Sequence, residues 1–286
     1  MKMKKLISAV LVLAMLFAFA GCNGSKKETL KVATSPDFAP MEFVDSSKKG
    51  QDSYVGFDIT LAKYIADAMG KEIEIVPMSF DACKVAVEVG TVDMAISGFS
   101  WTEDRAKNYN MSDYYYAGDN ETEQTIVTTK ENEGKFTSAA DFSGKKVATQ
   151  TGSLQLDLCK EQLPADCEIV EIGDLNTAFL QLKNGDFDAI AVAVGQAKVF
   201  ISNNEDSVAL AGFDFEVDPK SVGNVVLMQK GADELTAKVN EILAKAYSEG
   251  LYEQWYNEAL ALSGVETAQE ISYDDNGSVA SESAEG

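Results

Sequence analysis

The first hydrophobic pattern along the chain is a single apolar run that follows a short basic start. Residues 1–5 carry three lysines, and residues 6–20 are apolar except for Ser8. This run is shorter than the roughly 20 residues that a helix needs to cross a bilayer. Residues 1–21 are therefore predicted to be a signal peptide that is removed from the mature protein.

Beyond residue 28 the hydrophobic periodicity alternates between that of helices and that of strands, and the order repeats. The segment Lys-Val-Ala-Thr at 31–34 recurs at 146–149. After each copy the pattern predicts a helix, a strand, a helix and a strand. These elements fall at 57–68, 73–76, 82–89 and 92–96 in the first copy, and at 154–163, 168–172, 177–182 and 187–191 in the second. Each copy enters its last strand through a Gly-x-x-Asp step, at 90–93 and at 185–188.

The alternation of strands and helices predicts an α/β protein of two similar lobes. Helices that connect strands imply mostly parallel sheets that are covered on both faces. A pair of such lobes binds its ligand in the cleft beside the carboxyl ends of the strands. We therefore expect a two-lobed clamp in which each lobe is a mostly parallel sheet flanked by helices.

The pattern after the second copy assigns the C-terminal elements to the first lobe. A predicted strand at 222–229 and helices at 234–247 and 251–261 exceed what the second lobe needs. The chain would cross between the lobes near 124–128 and again near 218–224, and two crossings form a hinge. The predicted segments are a polar tether at 22–28, a first lobe of 29–124 plus 221–265, a second lobe of 125–220, and a disordered acidic tail at 266–286.

Composition excludes several classes of function. The 286 residues include 46 acidic and 24 basic side chains, a formal charge of −22, and no histidine. Such a charge repels nucleic acids and anionic lipid headgroups. The absence of histidine removes the commonest general base, the commonest zinc ligand and the Ser/His and Cys/His catalytic pairs. We expect no catalytic residue, no metal, no cofactor and no nucleic-acid partner.

The end of the apolar run resembles the lipobox of bacterial lipoproteins. It reads Phe19-Ala20-Gly21-Cys22, with small residues directly before the cysteine. The resemblance implies that Cys22 becomes the lipid-modified first residue of the mature protein, which is then anchored to the outer face of the bacterial cell membrane. The alternative is a secreted protein that is cleaved nearby, with Cys22 incidental.

A series of segments resembles the amino-acid-binding solute receptors of bacterial ABC importers, solute-binding protein family 3. The segments are 33–43 (ATSPDFAPMEF), 56–59 (GFDI) and 98–105 (GFSWTEDR), and the resemblance extends over residues 29–262. Members of this family have the two-lobed periplasmic-binding-protein fold, close on a small ligand and present it to a membrane permease. The resemblance implies a monomeric, lipid-anchored receptor that captures a small carboxylate, foremost an amino acid, for an ABC permease.

Arg105 is the clearest candidate for ligand chemistry. A guanidinium presents a planar fork of donors that pairs with a carboxylate through two charge-assisted hydrogen bonds. Arg105 ends the Thr-x-x-Arg segment 102–105, and in the family the arginine of this segment binds the ligand α-carboxylate. Apart from the resemblance, a surface ion pair with Glu103 or Asp104 is the ordinary interpretation.

The resemblance assigns further ligand contacts to both lobes. Gly98 and Ser100, with Ser97 beside them, match positions that contact the ligand amino group. Gln150 and Ser153 match the second-lobe segment that closes over the carboxylate, where a helix N-terminus favours an anion. Ser153 could equally be an ordinary helix N-cap.

Two aromatic residues complete the predicted site. Phe38 and Phe80 match positions whose rings sandwich the ligand side chain in family members. Such rings accept an aliphatic or aromatic side chain and can also hold a cation over a ring face. The alternative for either phenylalanine is a place in the hydrophobic core.

Two positions depart from the family pattern. Many family members place an aspartate, which neutralises the ligand ammonium, where this chain has Ala193, and often another acid where it has Ser35. A buried ammonium without a partner costs several kcal/mol. Either another acid reaches the cleft, with Asp37, Asp119 and Glu121 as the candidates, or the ligand has no ammonium.

The cysteines allow one disulfide. Cys159 and Cys167 flank the turn at Leu163-Pro164 and are close enough in sequence to form a bridge in an oxidising exterior. Two free thiols are the equal alternative. Cys83 is expected to be a buried thiol in a first-lobe helix.

The same fold also carries functions other than transport. Some members have become enzymes, such as the cyclohexadienyl dehydratases, which use a cleft carboxylate for acid-base catalysis. Ala193 supplies no such group, so we predict a receptor without enzymatic activity. The alternatives are a receptor for a carboxylate other than an amino acid, and a receptor that hands its ligand to a sensory partner.

Overall fold

A computed structural model describes residues 27–115 and 123–264. Four predicted features lie outside these ranges: the signal peptide, Cys22, the acidic tail at 266–286, and the candidate acids Asp119 and Glu121. Among the described residues, every helix is too short or too polar to serve as a membrane span.

Two five-stranded sheets form the centres of two lobes. The first sheet contains β1 (Thr29–Thr34), β5 (Glu72–Pro77), β6 (Met94–Ala95), β7 (Tyr109–Met111) and β13 (Leu227–Gln229). The second contains β8 (Gln124–Thr129), β9 (Lys146–Gln150), β10 (Glu168–Ile172), β11 (Ala189–Ala193) and β12 (Val208–Phe215). Their strand orders are β5-β1-β6-β13-β7 and β10-β9-β11-β8-β12.

The predicted two-lobed α/β fold with mostly parallel sheets is confirmed, and each sheet also contains one antiparallel strand. The repeat strands pair in parallel, β1 with β5 and β6, and β9 with β10 and β11. In each sheet, however, one strand runs against both of its neighbours, β13 in the first and β8 in the second. In each sheet four of the five strands thus run in one direction, and the fifth is reversed because it enters from the other lobe and not through a helical crossover.

The helices fall where the hydrophobic pattern predicts them, with two additions, Glu103–Asn108 and Val194–Ser202. The described helices are α1 (Phe57–Ala68), α2 (Phe80–Glu88), α3 (Glu103–Asn108), α4 (Leu154–Gln162), α5 (Leu175–Asn184), α6 (Val194–Ser202), α7 (Asp233–Ser248) and α8 (Leu251–Leu262). The predicted helices at 57–68, 154–163 and 251–261 match α1, α4 and α8 within two residues at each end. The unpredicted α6 contains a glycine and β-branched residues, which weaken a helical pattern.

Each sheet is buried on both faces. Neighbouring residues of a strand point to opposite sides of the sheet, so each pair of neighbours samples both faces. In the first lobe, Val32 belongs to one hydrophobic cluster and Ala33 to another. In the second lobe, Val147 and Ala148 likewise belong to two different hydrophobic clusters. The two layers of core around each sheet agree with the near-continuous apolar runs in the repeat.

The two Gly-x-x-Asp steps make the same contacts in both lobes. The backbone N–H of Lys31 donates to Asp93 Oδ2 (2.7 Å), and the N–H of Asp93 donates to the Lys31 carbonyl (3.0 Å). Lys146 and Asp188 exchange the equivalent pair of bonds, at 2.9 Å each. These bonds lie where the strands begin, at the end opposite to the cleft.

A small three-stranded sheet precedes α1 and positions part of the cleft. It consists of β2 (Asp37–Phe38), β3 (Glu42–Val44) and β4 (Tyr54–Val55). The carbonyl of Met41 accepts the N–H of Asp58, in the first turn of α1. Gly56 makes this close approach possible, because its φ is +120° and a Cβ there would lie 2.2 Å from the Met41 carbonyl oxygen.

The cysteines of the second lobe are free thiols in the structure. Cys159 on α4 and Cys167 are both buried and unbridged, so the disulfide, one of two expected outcomes, is not formed. Both side chains pack in the hydrophobic cluster between α4 and the second sheet. Burial raises the pKa of Cys159 to about 12. Cys83 is also a buried free thiol, on α2, as predicted.

Candidate functional site

The lobes enclose a cavity at the carboxyl ends of the repeat strands. It contains about 340 Å³ of space between atoms, part of which is open to solvent. All eight residues that the sequence assigned to ligand binding line it: Phe38, Phe80, Ser97, Gly98, Ser100, Arg105, Gln150 and Ser153. Four further residues line it: Asp37, Glu42, Leu154 and Gln155.

Arg105 is buried at the start of α3 and faces this cavity. Thr102 caps the helix by accepting the Arg105 N–H (3.2 Å), which sets the direction of the side chain. The guanidinium donates to the carbonyls of Ser100 (2.5 Å) and, across the cleft, Gly152 (3.2 Å). It also lies 5.6 Å from the centre of the Phe80 ring. Asp104, by contrast, is exposed to solvent and pairs with Lys107, which argues against the surface interpretation.

The turn between β9 and α4 brings the second lobe to the same cavity. Ser153 is the N-cap of α4 and accepts the N–H of Leu156 (3.2 Å), so its N-cap role and its place in the cavity coexist. Gly152 has a φ of +70°, which suits glycine. The free N–H groups and the dipole at a helix start favour a negatively charged group at this position.

Asp37 also lines the cavity and is bound by the second lobe. Its carboxylate accepts hydrogen bonds from the Leu175 N–H at the start of α5 (2.8 Å), from Gln150 Nε2 (3.1 Å) and from the Ser35 hydroxyl (2.9 Å). Burial raises the pKa of Asp37 to about 6, although these hydrogen bonds oppose the rise. Asp37 is therefore ionised at neutral pH.

Ala193 is the last residue of β11, so this position of the second lobe carries no carboxylate. Its side chain is buried, and it directly precedes α6. Gln196 on α6 donates through Nε2 to the backbone carbonyl of Asp37 (3.0 Å). Asp37, which belongs to the first lobe, thus contacts the helix that directly follows β11.

Glu42 was not among the predicted site residues. Its carboxylate lines the cavity and accepts the Ser97 hydroxyl (2.6 Å). Burial and the neighbouring charge of Asp58 hold the pKa of Glu42 well above its usual range, and burial raises that of Asp58 to about 6. Asp58 in turn accepts the Gly98 N–H (2.8 Å) and the Tyr115 hydroxyl (2.9 Å). The two acids thus fix Ser97 and Gly98 on the cleft floor.

The two predicted aromatic residues serve both the core and the cavity. Phe80 is 7% exposed and its ring stands 4.5 Å from that of Phe99, centre to centre. Phe38 is half-buried and packs against hydrophobic clusters of both lobes. The pocket and core alternatives for these residues are therefore compatible.

Comparison with known proteins shows the family. The model of the bacterial extracellular solute-binding proteins, family 3, matches residues 30–260. The chain is 30% identical to the arginine-binding extracellular protein ArtP of Bacillus subtilis over 266 residues, which cover 89% of this chain and 98% of that protein. A probable histidine-binding protein of Campylobacter jejuni is 31% identical over 251 residues, which cover 81% and 93% of the two chains.

A solved structure gives the same result. The amino acid ABC transporter substrate-binding protein AbpA of Streptococcus pneumoniae, solved with bound L-arginine, superposes with a TM-score of 0.75 at 33% identity, over 85% of this chain and 97% of that one. The fold, the repeat motifs and the matching family model lead to one conclusion: the chain belongs to the bacterial extracellular solute-binding proteins, family 3.

Proposed function

We propose that this protein is the extracytoplasmic receptor of an ABC importer, and that it captures an α-amino acid by closing its two lobes and delivers it to a membrane permease. One observation carries the proposal. A single cavity between the lobes is lined by both Arg105 and Asp37, a guanidinium and a carboxylate. This arrangement is complementary to a carboxylate and an ammonium on the same small molecule.

The carboxylate end of the ligand pairs with Arg105, the only arginine in the chain. A fork of two donors that is shielded from water gives charge-assisted hydrogen bonds of about 1.5 to 3 kcal/mol each. On closure, the start of α4 at Ser153 brings the positive end of a helix dipole to the same group. The ligand carboxylate is thereby held by both lobes.

The ammonium end pairs with Asp37, which takes over the role of the acid absent at Ala193. Asp37 lines the cavity, is ionised at neutral pH and lies beside α6, which follows Ala193. The other two candidate acids lie outside the described residues. The carbonyl of Gly98 and the hydroxyl of Ser100 line the same cavity and can accept the remaining ammonium hydrogens.

The rings of Phe38 and Phe80 receive the ligand side chain. Aromatic faces accept apolar groups and also cations such as a guanidinium. Because the relatives are named for arginine and histidine binding, the cationic amino acids are the first ligands to test.

We also infer binding without chemical turnover. The relatives found are named as binding proteins, and the residues around the cavity supply the two ends of an amino acid with complementary charges. Mass spectrometry of the ligand before and after incubation should recover it unchanged, whereas a dehydrated product would favour the enzymatic alternative.

The N-terminus supports an anchored location outside the cytoplasm. A signal peptide of 1–21 followed by Cys22 would leave a lipid-modified monomer on the bacterial cell membrane, close to the permease. In a lipid-free variant, Cys22→Ala, the protein should leave the membrane fraction and appear in the medium. Retention of this variant in the membrane would contradict anchoring through Cys22.

Calorimetry against the twenty amino acids and the matching 2-hydroxy and 2-keto acids tests the ligand class. We expect at least one amino acid to bind more tightly than its hydroxy and keto counterparts. Tight binding only of the latter would show a receptor for a carboxylate without an ammonium, and no binding of either class would overturn the proposal.

A further inference from the structure

A second cation lies beside Arg105 and is not explained by the site described above. Lys84 on α2 donates through Nζ to the carbonyl of Gly152 at 2.8 Å. Arg105 donates to the same carbonyl oxygen at 3.2 Å. The two nitrogens are therefore no more than 6.0 Å apart, the sum of these distances.

These two cations also share one aromatic ring. The Lys84 ammonium lies 5.7 Å and the Arg105 guanidinium carbon 5.6 Å from the centre of the Phe80 ring. Among the described residues, no carboxylate lies within ion-pair distance of Lys84, whose nearest opposite charges, Asp81 and Asp157, act at longer range. Burial and the charge of Arg105 lower the pKa of Lys84, so the charged ammonium is less favourable here than in water.

The bond from Lys84 to Gly152 joins the two lobes, since α2 belongs to the first and the turn after β9 to the second. It can form only when the clamp is closed. An empty closed cleft thus brings two positive charges together, whereas an anion seated against Arg105 would compensate both.

We propose that Lys84 is a specificity-determining residue, which makes closure of the clamp depend on a negatively charged carboxylate at Arg105. This proposal rests on the proposed function and adds a preference to it. The cleft should bind an amino acid much more tightly than its carboxamide, because only the acid adds a negative charge beside these two neighbouring cations.

The test compares each acid with its amide in variants of Lys84. The probes are L-arginine and L-argininamide, or, where the amino-acid panel identifies another ligand, that amino acid and its amide. We expect Lys84→Met to weaken binding of the acid about tenfold, the effect of losing about 1.4 kcal/mol, and binding of the amide less than twofold. Lys84→Arg, which keeps the charge, should bind the acid within threefold of the unmodified protein.

Lys107→Met is the matched control, because Lys107 is an exposed lysine of the same lobe, close in sequence to Arg105. Thermal unfolding of each variant verifies that it is folded. An equal loss for acid and amide in Lys84→Met would show a closure contact without specificity and would overturn the proposal, as would no loss at all. Failure of the unmodified protein to bind any amino acid would instead overturn the proposed function.

Discussion

Asp37 on β2 accepts a 2.8 Å hydrogen bond from the backbone N–H of Leu175, the first residue of α5, although 138 positions separate them. The start of a helix carries a partial positive charge that favours a carboxylate. Asp37 therefore has two roles in the proposed receptor. It faces the ligand ammonium and it forms hydrogen bonds to the second lobe across the cleft.

Replacement of Asp37 by asparagine should weaken the binding of an amino acid more than that of the matching hydroxy acid, and this difference separates the two roles. Asp37→Asn removes the negative charge and retains the shape of the side chain. We expect affinity for the amino acid to fall about 10- to 100-fold, since a hydrogen bond to a charged group contributes about 1.5 to 3 kcal/mol. The matching hydroxy acid, which has no ammonium, should lose less, and calorimetry with both ligands measures the difference.

The control for this variant is Asp52→Asn, an exposed acid on the same lobe. It should leave the affinity for both ligands unchanged. Equal losses for amino acid and hydroxy acid in Asp37→Asn would show that Asp37 serves closure alone.

Closure of the ligand-free protein should depend on pH through the same carboxylate. Burial in the closed cleft raises the pKa of Asp37 from 3.8 to about 6, and the charge of Asp174 adds to the rise. Opening of the cleft returns this carboxylate to water and should lower its pKa, so the closed form binds more protons than the open form, and closure becomes more favourable as pH falls through about 6. Above the pKa of the closed form, the contribution of Asp37 no longer changes with pH.

Small-angle X-ray scattering can follow this transition. The radius of gyration should decrease between pH 7 and pH 4.5 in the unmodified protein and stay constant in Asp37→Asn. Glu42 and Asp58, the other buried acids near the cleft, both belong to the first lobe and remain in the variant. A pH response that persists in Asp37→Asn would assign it to that pair.

Arg105 should dominate affinity for the ligand. We expect Arg105→Ala to weaken binding by a factor of about 100, given about 3 kcal/mol lost. Arg105→Lys keeps the charge without the planar fork and should recover only part of this loss. Lys107→Ala, on the same helix but exposed, is the control for calorimetry. Unchanged affinity in Arg105→Ala would remove Arg105 from the site.

The connection into α1 should tolerate no side chain at Gly56. A Cβ would lie 2.2 Å from the Met41 carbonyl oxygen, and the φ of +120° is unfavourable for other residues. We expect Gly56→Ala to lower the free energy of unfolding by more than about 3 kcal/mol. Gly70→Ala, which also has a positive φ but open space around it, should cost about 1 kcal/mol in urea unfolding. Similar losses of unfolding free energy in both variants would show that the positive φ, and not the contact with Met41, causes the loss.

The thiols of the second lobe should remain free in the mature protein. Alkylation of the unfolded protein without reductant, followed by tryptic digestion, should label both Cys159 and Cys167, as the structure has them unbridged. Trypsin cuts after Lys160, between the two, so a disulfide would instead appear as two linked peptides. Such a linked pair of peptides would show that Cys159 and Cys167 form a disulfide in the mature protein.

The repeat made most of the fold predictable, because its strands and helices are long enough to show their periods. The strand predicted at 168–172 coincides with β10. Several of the elements that escaped prediction are short, although the eight-residue β12 was also missed. β2 and β4 have two residues each, which is too few to show an alternation.

The site was predictable only as far as the family motifs reach. Those motifs identified eight residues of the cavity, and Glu42 lay inside a quoted segment without being singled out. Its alternation with the apolar neighbours Met41 and Phe43 was the available signal. The bond from Asp37 to Leu175 and that from Lys84 to Gly152 connect distant parts of the chain, and no local pattern encodes the closure that creates them.

The paired bonds between Lys31 and Asp93, and between Lys146 and Asp188, have a consequence for how such a receptor can change its solute. They hold the register of each sheet at the edge where the strands begin, whereas the ligand meets the opposite edge. Substitutions at cleft positions such as Ser97 or Ala193 therefore leave these strand-start bonds untouched. Residues that contact the ligand at one edge of a sheet can therefore change, while the bonds at the opposite edge keep the strand register.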